Sequence, residues 1–136
     1  MRGNPTWTDI EVLEVMFRFY TLGETGAQLA LLMGASRSGI LGLVHRVRRE
    51  APAVEALRIS DNALRECLEA FLERQVSAER LAKTFALHRN AVLYLIWSVM
   101  HDLAHAGASE VLNPAHDDVV VWPRWWRPVP GKAVAA

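Results

Sequence analysis

Thr25-Gly26-Ala27-Gln28-Leu29-Ala30-Leu31-Leu32-Met33-Gly34-Ala35-Ser36-Arg37-Ser38-Gly39-Ile40 sets a small residue, Ala30, shortly before Gly34, and an aliphatic residue, Ile40, shortly after it. A helix-turn-helix asks for that order: a small residue where the helices meet, an accommodating residue in the turn and an aliphatic plug early in the second helix. Leu29, Met33, Ala35 and Leu43 supply the rest of a small core. Fifty-two residues later, Ser77 to Val92 repeats the pattern with Ala82, Ala86 and Val92, supported by Leu81, Phe85, Leu87 and Leu95. One such pattern is common among helical hairpins; two in register are informative.

The duplication extends outward from these turns. Residues 9–48 set against 61–100 align without a gap and share nine identities, among them Asp9/Asp61, Phe19/Phe71, Leu29/Leu81, Arg37/Arg89 and Val47/Val99. The substitutions keep apolar character in place, as at Met16/Leu68, Met33/Phe85, Ile40/Val92 and Val44/Ile96. Each repeat reads as three helices. Thr8-Asp9 starts a first helix whose apolar positions Val12, Val15, Met16, Phe19 and Tyr20 follow helical spacing, and Gly23 ends it; Ser60-Asp61 starts its equivalent. Thr25 and Ser77 cap the short second helices, and the third helices begin at Ser36 and His88. Strand signals are confined to Val119-Val120-Val121. The expected fold is all-α: tandem three-helix helix-turn-helix units at 1–50 and 58–105, a linker at 51–57, and a linker with an extended Trp/Pro-rich tail at 106–136.

Trp7-Thr8-Asp9, Leu13, Gly23, Gln28-Leu29-Ala30 and the run from Ser36 through Ile40, Val44 and His45 to Arg46 together resemble the DNA-binding N-terminus of the GcrA family of cell-cycle transcription regulators. That family opens on a Trp-Thr-Asp-like triplet and carries a Ser-Arg-Asn-Ala-Val-Ile-Gly-Lys-Val-His-Arg-like recognition helix. The resemblance covers about residues 7–48 and implies a helix-turn-helix DNA reader active in transcription. The chain departs from the family at Leu43, where the family has lysine, and at Ser38-Gly39, so the family's DNA target is not carried over. Beyond residue 50 there is no counterpart, and the family's polymerase-contacting segment is not carried over either.

On a helix starting at Ser36, the core takes Ile40, Leu43, Val44 and Val47, which leaves Ser36, Arg37, Ser38, Leu41, Gly42 and His45 facing outward. Arg37 has the donors to grip guanine O6 and N7, Ser36 or Ser38 to bond a base edge or phosphate, and Leu41 the methyl groups to meet thymine. Gly42 removes bulk where DNA backbone would approach. Arg46, Arg48 and Arg49, with His45, form a basic cluster suited to phosphates, which position a protein without reading sequence. The competing account is that basic residues merely complement the helix C-terminus.

In the second unit His88, Arg89 and Asn90 have groove-reading chemistry, but Leu93, Tyr94 and Trp97 follow them at outward positions. Such an apolar patch needs a cover, from a second copy, the first unit, a partner protein or the chain's own tail. The favoured cover is the tail, where Trp122, Trp125 and Trp126 stand among three prolines that forbid regular helix. A docking peptide for a partner such as RNA polymerase, or an arginine-bearing arm along DNA, remains open. His101 and His105 stand one turn apart, with His116 or Asp117 as conceivable further metal ligands, but a solvated surface pair is the favoured reading and neither metal nor cofactor is expected.

Fifteen basic residues balance fifteen acidic ones over 136 residues, so any DNA-binding charge must be local. One cysteine, Cys67, at an apolar helix position, excludes an internal disulfide and suits a reducing cytosol. No apolar run approaches a membrane span, and the start shows no secretory signal, so the expected address is cytoplasmic and nucleoid-associated. No nucleophile, phosphate-loop or metal motif stands out, so no enzyme is expected. The expected function is sequence-specific binding of double-stranded DNA in transcription regulation, with RNA polymerase or another transcription component as a further partner and a homodimer as a further state. The alternatives are a helical protein-interaction module and a phage-type DNA recognition subunit of a packaging machine.

Overall fold

The computed structural model describes residues 7–106 and 122–129. Within them the chain is all-helical, without strands: α1 Asp9–Met16, a π-helical turn Phe17–Thr21, α2 Gly26–Met33, α3 Arg37–Arg48, α4 Ala51–Ala56, α5 Asp61–Leu72, α6 Ala78–Phe85 and α7 Arg89–His105. The Val119–Val121 stretch, His116, Asp117 and most of the 106–119 linker lie outside the described residues.

The 52-residue repeat reappears cap by cap. Thr8 and Ser60, Thr25 and Ser77, and Ser36 and His88 are the paired N-caps, each accepting a backbone N–H from the first turn that follows. That contact satisfies one of the donors a helix start leaves without an intrahelical partner. Thr8 and Thr25 complete the motif reciprocally, with Glu11 and Gln28 reaching back to the cap N–H.

Helix ends repeat as well. Gly23 and Gln75 both have positive φ (76° and 55°), as do Gly34 and Ala86 (65° and 54°). Matching bonds close these turns: Glu24 N–H to Arg18 O beside Val76 N–H to Ala70 O, and Ala35 N–H to Ala30 O beside Leu87 N–H to Ala82 O. The first repeat meets the left-handed positions with glycine. The second imposes them on Gln75 and Ala86, at a steric cost of about 1–2 kcal/mol per L-residue.

The first helix is not one regular element of about fifteen residues. After Met16 it widens into the π-helical turn, where Leu22 N–H bonds Phe17 O. The widening leaves Thr21 buried.

Both repeats share one core. Val12, Leu13, Met16, Phe17, Leu29, Ile40 and Val47 from the first, with Leu68, Phe71, Leu81, Val92, Ile96 and Met100 from the second, belong to a single buried cluster. Helix α7 runs through its middle, packed against α1, the π-helical turn, α3, α4 and α6. Within residues 51–57, expected to be a linker, Ala51–Ala56 form α4, which lies on α7. The tail also packs: Trp126 Nε1–H bonds Met100 O at 3.1 Å, Val129 N–H bonds Ala104 O, and the Trp125 and Trp126 rings lie 5.6 and 6.4 Å from Phe17. Trp122 stacks on Trp126 at 5.1 Å. Among the described residues no single helix is long and apolar enough to cross a membrane.

Candidate nucleic-acid interface

Helix α3 buries Ile40, Leu43, Val44 and Val47, the four residues its spacing assigns to the core. Ser36, Arg37, Ser38, His45, Arg46, Arg48 and Arg49 are exposed, while Leu41 and Gly42 are half-buried. Ser36 spends its hydroxyl on the cap, accepting Gly39 N–H at 3.0 Å and lying 3.3 Å from Ser38 Oγ. The stem of Arg37 crosses the start of α2: a Cβ on Gly26 would meet Arg37 Cγ at 3.4 Å and Leu41 Cδ2 at 3.3 Å. Leu41 is therefore partly occupied by α2 and presents less methyl surface than its helix position suggests. Gly42 serves a neighbour rather than open space, because a Cβ there would lie 3.2 Å from Arg46 Nη1. The Arg46 head thus folds back along the outward face of α3.

Arg48 lies over the Tyr20 ring, 5.2 Å from its centroid. Such a contact holds the guanidinium at a fixed place while leaving its donors free. Among the described residues, no ion pair engages Arg37, Arg46 or Arg49. Arg18, in contrast, is held between Glu14 at 2.9 Å and Glu24 at 3.2 Å.

The second unit presents a different surface from the one its sequence suggests. Arg89, the counterpart of Arg37, turns inward: its Nη2 lies 2.7 Å from Asp9 Oδ1, and it donates to Trp7 O at 2.9 Å. The same Asp9 accepts the first N–H of α6, from Ala78, at 2.8 Å. His88 caps α7 by accepting Asn90 N–H at 3.1 Å and stands 3.9 Å from Glu50, while Asn90 is half-buried. Of the three residues expected to read a groove, only His88 stays well exposed, because the opening turn of α7 closes the junction between the repeats.

Leu93 is completely buried, Trp97 is buried and Tyr94 is half-buried. Trp97 is covered by the first unit rather than by the tryptophan tail. Tyr20 and Tyr94 flank the Trp97 ring at 5.6 and 5.3 Å, and Trp97 Nε1–H donates to Thr21 Oγ1 at 3.3 Å. That hydroxyl is also 2.8 Å from His101 Nδ1. Burial, reinforced by neighbouring His105, holds the His101 pKa below its ordinary value against the opposing pull of Asp102. The tail covers Phe17 and the end of α7 instead.

A cavity of about 540 Å³ opens between the start of α1, the turn joining α5 to α6 and Trp122, with Ile10, Phe71 and Val76 among its walls. Its carboxylate, Asp9, is already taken by Arg89 and Ala78. Burial pushes the Cys67 thiol up to about 11, which leaves it a small apolar core residue with little thiolate. Among the described residues no cluster of three metal-ligating side chains forms.

Sequence reasoning missed two features. Asp9 opens α1, as its sequence suggests, and also ties the two repeats together. Leu31 and Leu32 lie on α2 with exposures of 88% and 54%; the signal is a helix whose one polar side chain is Gln28, more apolar than a single small core requires.

No protein-family model, no curated protein and no solved structure matches this chain. The resemblance of residues 7–48 to the GcrA family therefore rests on the quoted residues alone.

Proposed function

We propose that this chain is a sequence-specific double-stranded DNA-binding protein of transcription regulation, built from tandem helix-turn-helix units, whose first unit reads the major groove with α3. The observation that carries the reading is the outward face of α3 and its C-cap, where Arg37, Ser38, Arg46 and Arg49 are exposed and the guanidinium groups of the three arginines are held by no acid among the described residues. Globally the chain is neutral, so this local concentration is where phosphate attraction arises. The bend between Gly26–Met33 and the helical stretch 37–56 is 105°, within the roughly 90–120° range of a helix-turn-helix, and this supports α3 as the presented helix. The resemblance to the GcrA family points the same way. The second unit contributes mainly rigidity, since Arg89 and Trp97 are committed to the junction.

Titration of the full chain with a random-sequence duplex, followed over salt concentration, tests this reading. Binding whose affinity falls steeply with salt is expected. Recovery of bound chromosomal DNA then separates promoters from a packaging site. Absence of binding at low salt would leave the protein-interaction reading, which the exposed Leu31 and Leu32 favour.

A further inference from the structure

The cavity of about 540 Å³ between the start of α1, the turn joining α5 to α6 and Trp122 is walled by parts of the chain far apart in sequence. The turn on its wall has a twin 52 residues earlier, and the two differ in their side chains. The first turn is closed by an ion pair from Glu24 to Arg18 at 3.2 Å. In the second, Ala70 stands for Arg18, Val76 for Glu24 and Gln75 for Gly23. Charge is thereby removed from the turn. A long amide side chain is added at a left-handed position, φ 55°, which glycine would fill at less cost. On the α1 side of the cavity, Ile10 is exposed where the second repeat has Asn62.

We infer that this cavity binds an uncharged, flat aromatic molecule with a hydrogen-bonding group for the Gln75 amide. The inference is independent of the DNA-binding reading. The volume lies within the roughly 300–1,000 Å³ of small-molecule sites. Ile10, Phe71, Leu72, Val76 and Trp122 make the wall apolar, and Trp122 is backed by Trp126 in a stack at 5.1 Å, which holds a ring surface in place for another ring. The polar groups of the wall set the ligand's charge. Thr8 and Ser77 use their side-chain oxygens to cap α1 and α6. Asp9 is neutralised by Arg89 and bonded to Ala78 N–H. Among the described residues no lysine or arginine lines the cavity, so an anion would be buried unpaired, and a cation would compete with Arg89 for Asp9. The Gln75 amide is engaged by no hydrogen bond among the described residues and can both donate and accept. A molecule seated there touches α1 of the first repeat, the turn of the second and the tail at once, so it stabilises the folded chain by mass action.

Two fluorescent probes that share their rings test the inference on the full chain: N-phenyl-1-naphthylamine, which is uncharged, and 8-anilinonaphthalene-1-sulfonate, which adds a sulfonate. The neutral probe should bind saturably, one per chain, with a blue-shifted rise in emission, and should raise the melting temperature. The sulfonate should bind at least about tenfold more weakly, because its charge finds no partner. Gln75→Gly locates the site. Relief of the left-handed backbone should make the fold more stable, while loss of the amide weakens the neutral probe about three- to tenfold. A residue that merely supported the fold would not give opposite signs. Val76→Glu, the residue type of the first turn, should abolish binding by placing a carboxylate on the wall, and Gln75→Gly keeps the test valid if that variant melts early. Leu31→Gln, on the exposed apolar face of α2, should leave binding unchanged. A wild-type chain that does not bind the neutral probe saturably, that binds both probes equally, or whose binding is lost with Leu31 and kept in Gln75→Gly, overturns the inference.

Discussion

Arg89 and Asp9 form the clasp between the two repeats, with Nη2 2.7 Å from Oδ1 and Nε 3.0 Å from the same oxygen, while Ala78 N–H takes Oδ2. Fifty-two residues earlier Arg37 is exposed. The same residue type at the same helical position thus has two different surroundings. Asp9→Ala removes the acceptor for all three bonds, and hydrogen bonds to a charged group contribute about 1.5–3 kcal/mol each in favourable settings. The pair is only partly buried, so a total loss of about 2–3 kcal/mol in urea unfolding is expected. Arg89→Ala should lower stability and leave intrinsic duplex affinity unchanged.

Arg37→Ala should do the reverse. Stability should stay within about 0.5 kcal/mol, as for an exposed side chain, while affinity for a preferred site falls by about 1–3 kcal/mol and base preference relaxes. Equal losses on preferred and random duplexes would identify Arg37 as a phosphate contact instead. Replacing Arg46 and Arg49 with alanine should weaken all duplexes alike and flatten the salt dependence.

Gln75 and Ala86 occupy left-handed backbone that Gly23 and Gly34 occupy in the first repeat. Gln75→Gly and Ala86→Gly should each raise stability by about 0.5–1 kcal/mol, the relief of the steric penalty less the entropy glycine loses on folding. Gly34→Ala should cost about 1 kcal/mol. Nothing lies within 4 Å of a Cβ placed on Gly34, so that cost is one of backbone conformation and not of collision. Thermal melts of the single variants check the three signs together.

His101 makes stability depend on pH. Its pKa in the fold is depressed from the ordinary 6.5, so on acidification the unfolded chain takes up the proton first. The contribution is complete above pH of about 6.5 and is lost progressively as pH falls below it. Thr21, having accepted the Trp97 indole N–H, still has its hydroxyl hydrogen to give to the neutral His101 ring. Urea midpoints between pH 7.5 and 5 should therefore slope downward on acidification, and His101→Gln should flatten that slope. A wild-type midpoint constant over this range would contradict the assignment.

Trp126 and Trp122 separate packing from hydrogen bonding in the tail. Trp126→Phe leaves Met100 O without its indole donor and should cost about 1 kcal/mol beyond the lost ring area. The Trp122 indole N–H is buried without an acceptor among the described residues, so Trp122→Phe removes an unsatisfied donor and should cost less. Deleting residues 122–136 uncovers Phe17 and should destabilise the fold by several kcal/mol, on the scale of a large aromatic removed from a core.

The amino-acid order by itself determined the three paired helices of each repeat, their caps and the duplication, because these depend on contacts within a few residues; α4 and the π-helical turn were not legible in it. Thr25 to Gln28, Ser36 to Gly39 and Ser77 to Arg80 are bonds across three positions, and a repeat spacing transmits them unchanged. Apolar periodicity likewise identified which four residues of α3 face the core. Tertiary packing alone decided which copy of each element faces solvent. Leu93, Tyr94 and Trp97 read as an outward patch, yet Leu93 is fully buried and Tyr20 and Thr21, some 75 residues away in sequence, are brought against Trp97. Arg89 reads as a groove contact until Asp9 arrives beside it, and α2 reads as half of a small core until its outer face is left uncovered. Each of these outcomes depends on how one helical layer lies on another, and a periodicity of 3.6 residues specifies a buried face without naming the surface that buries it.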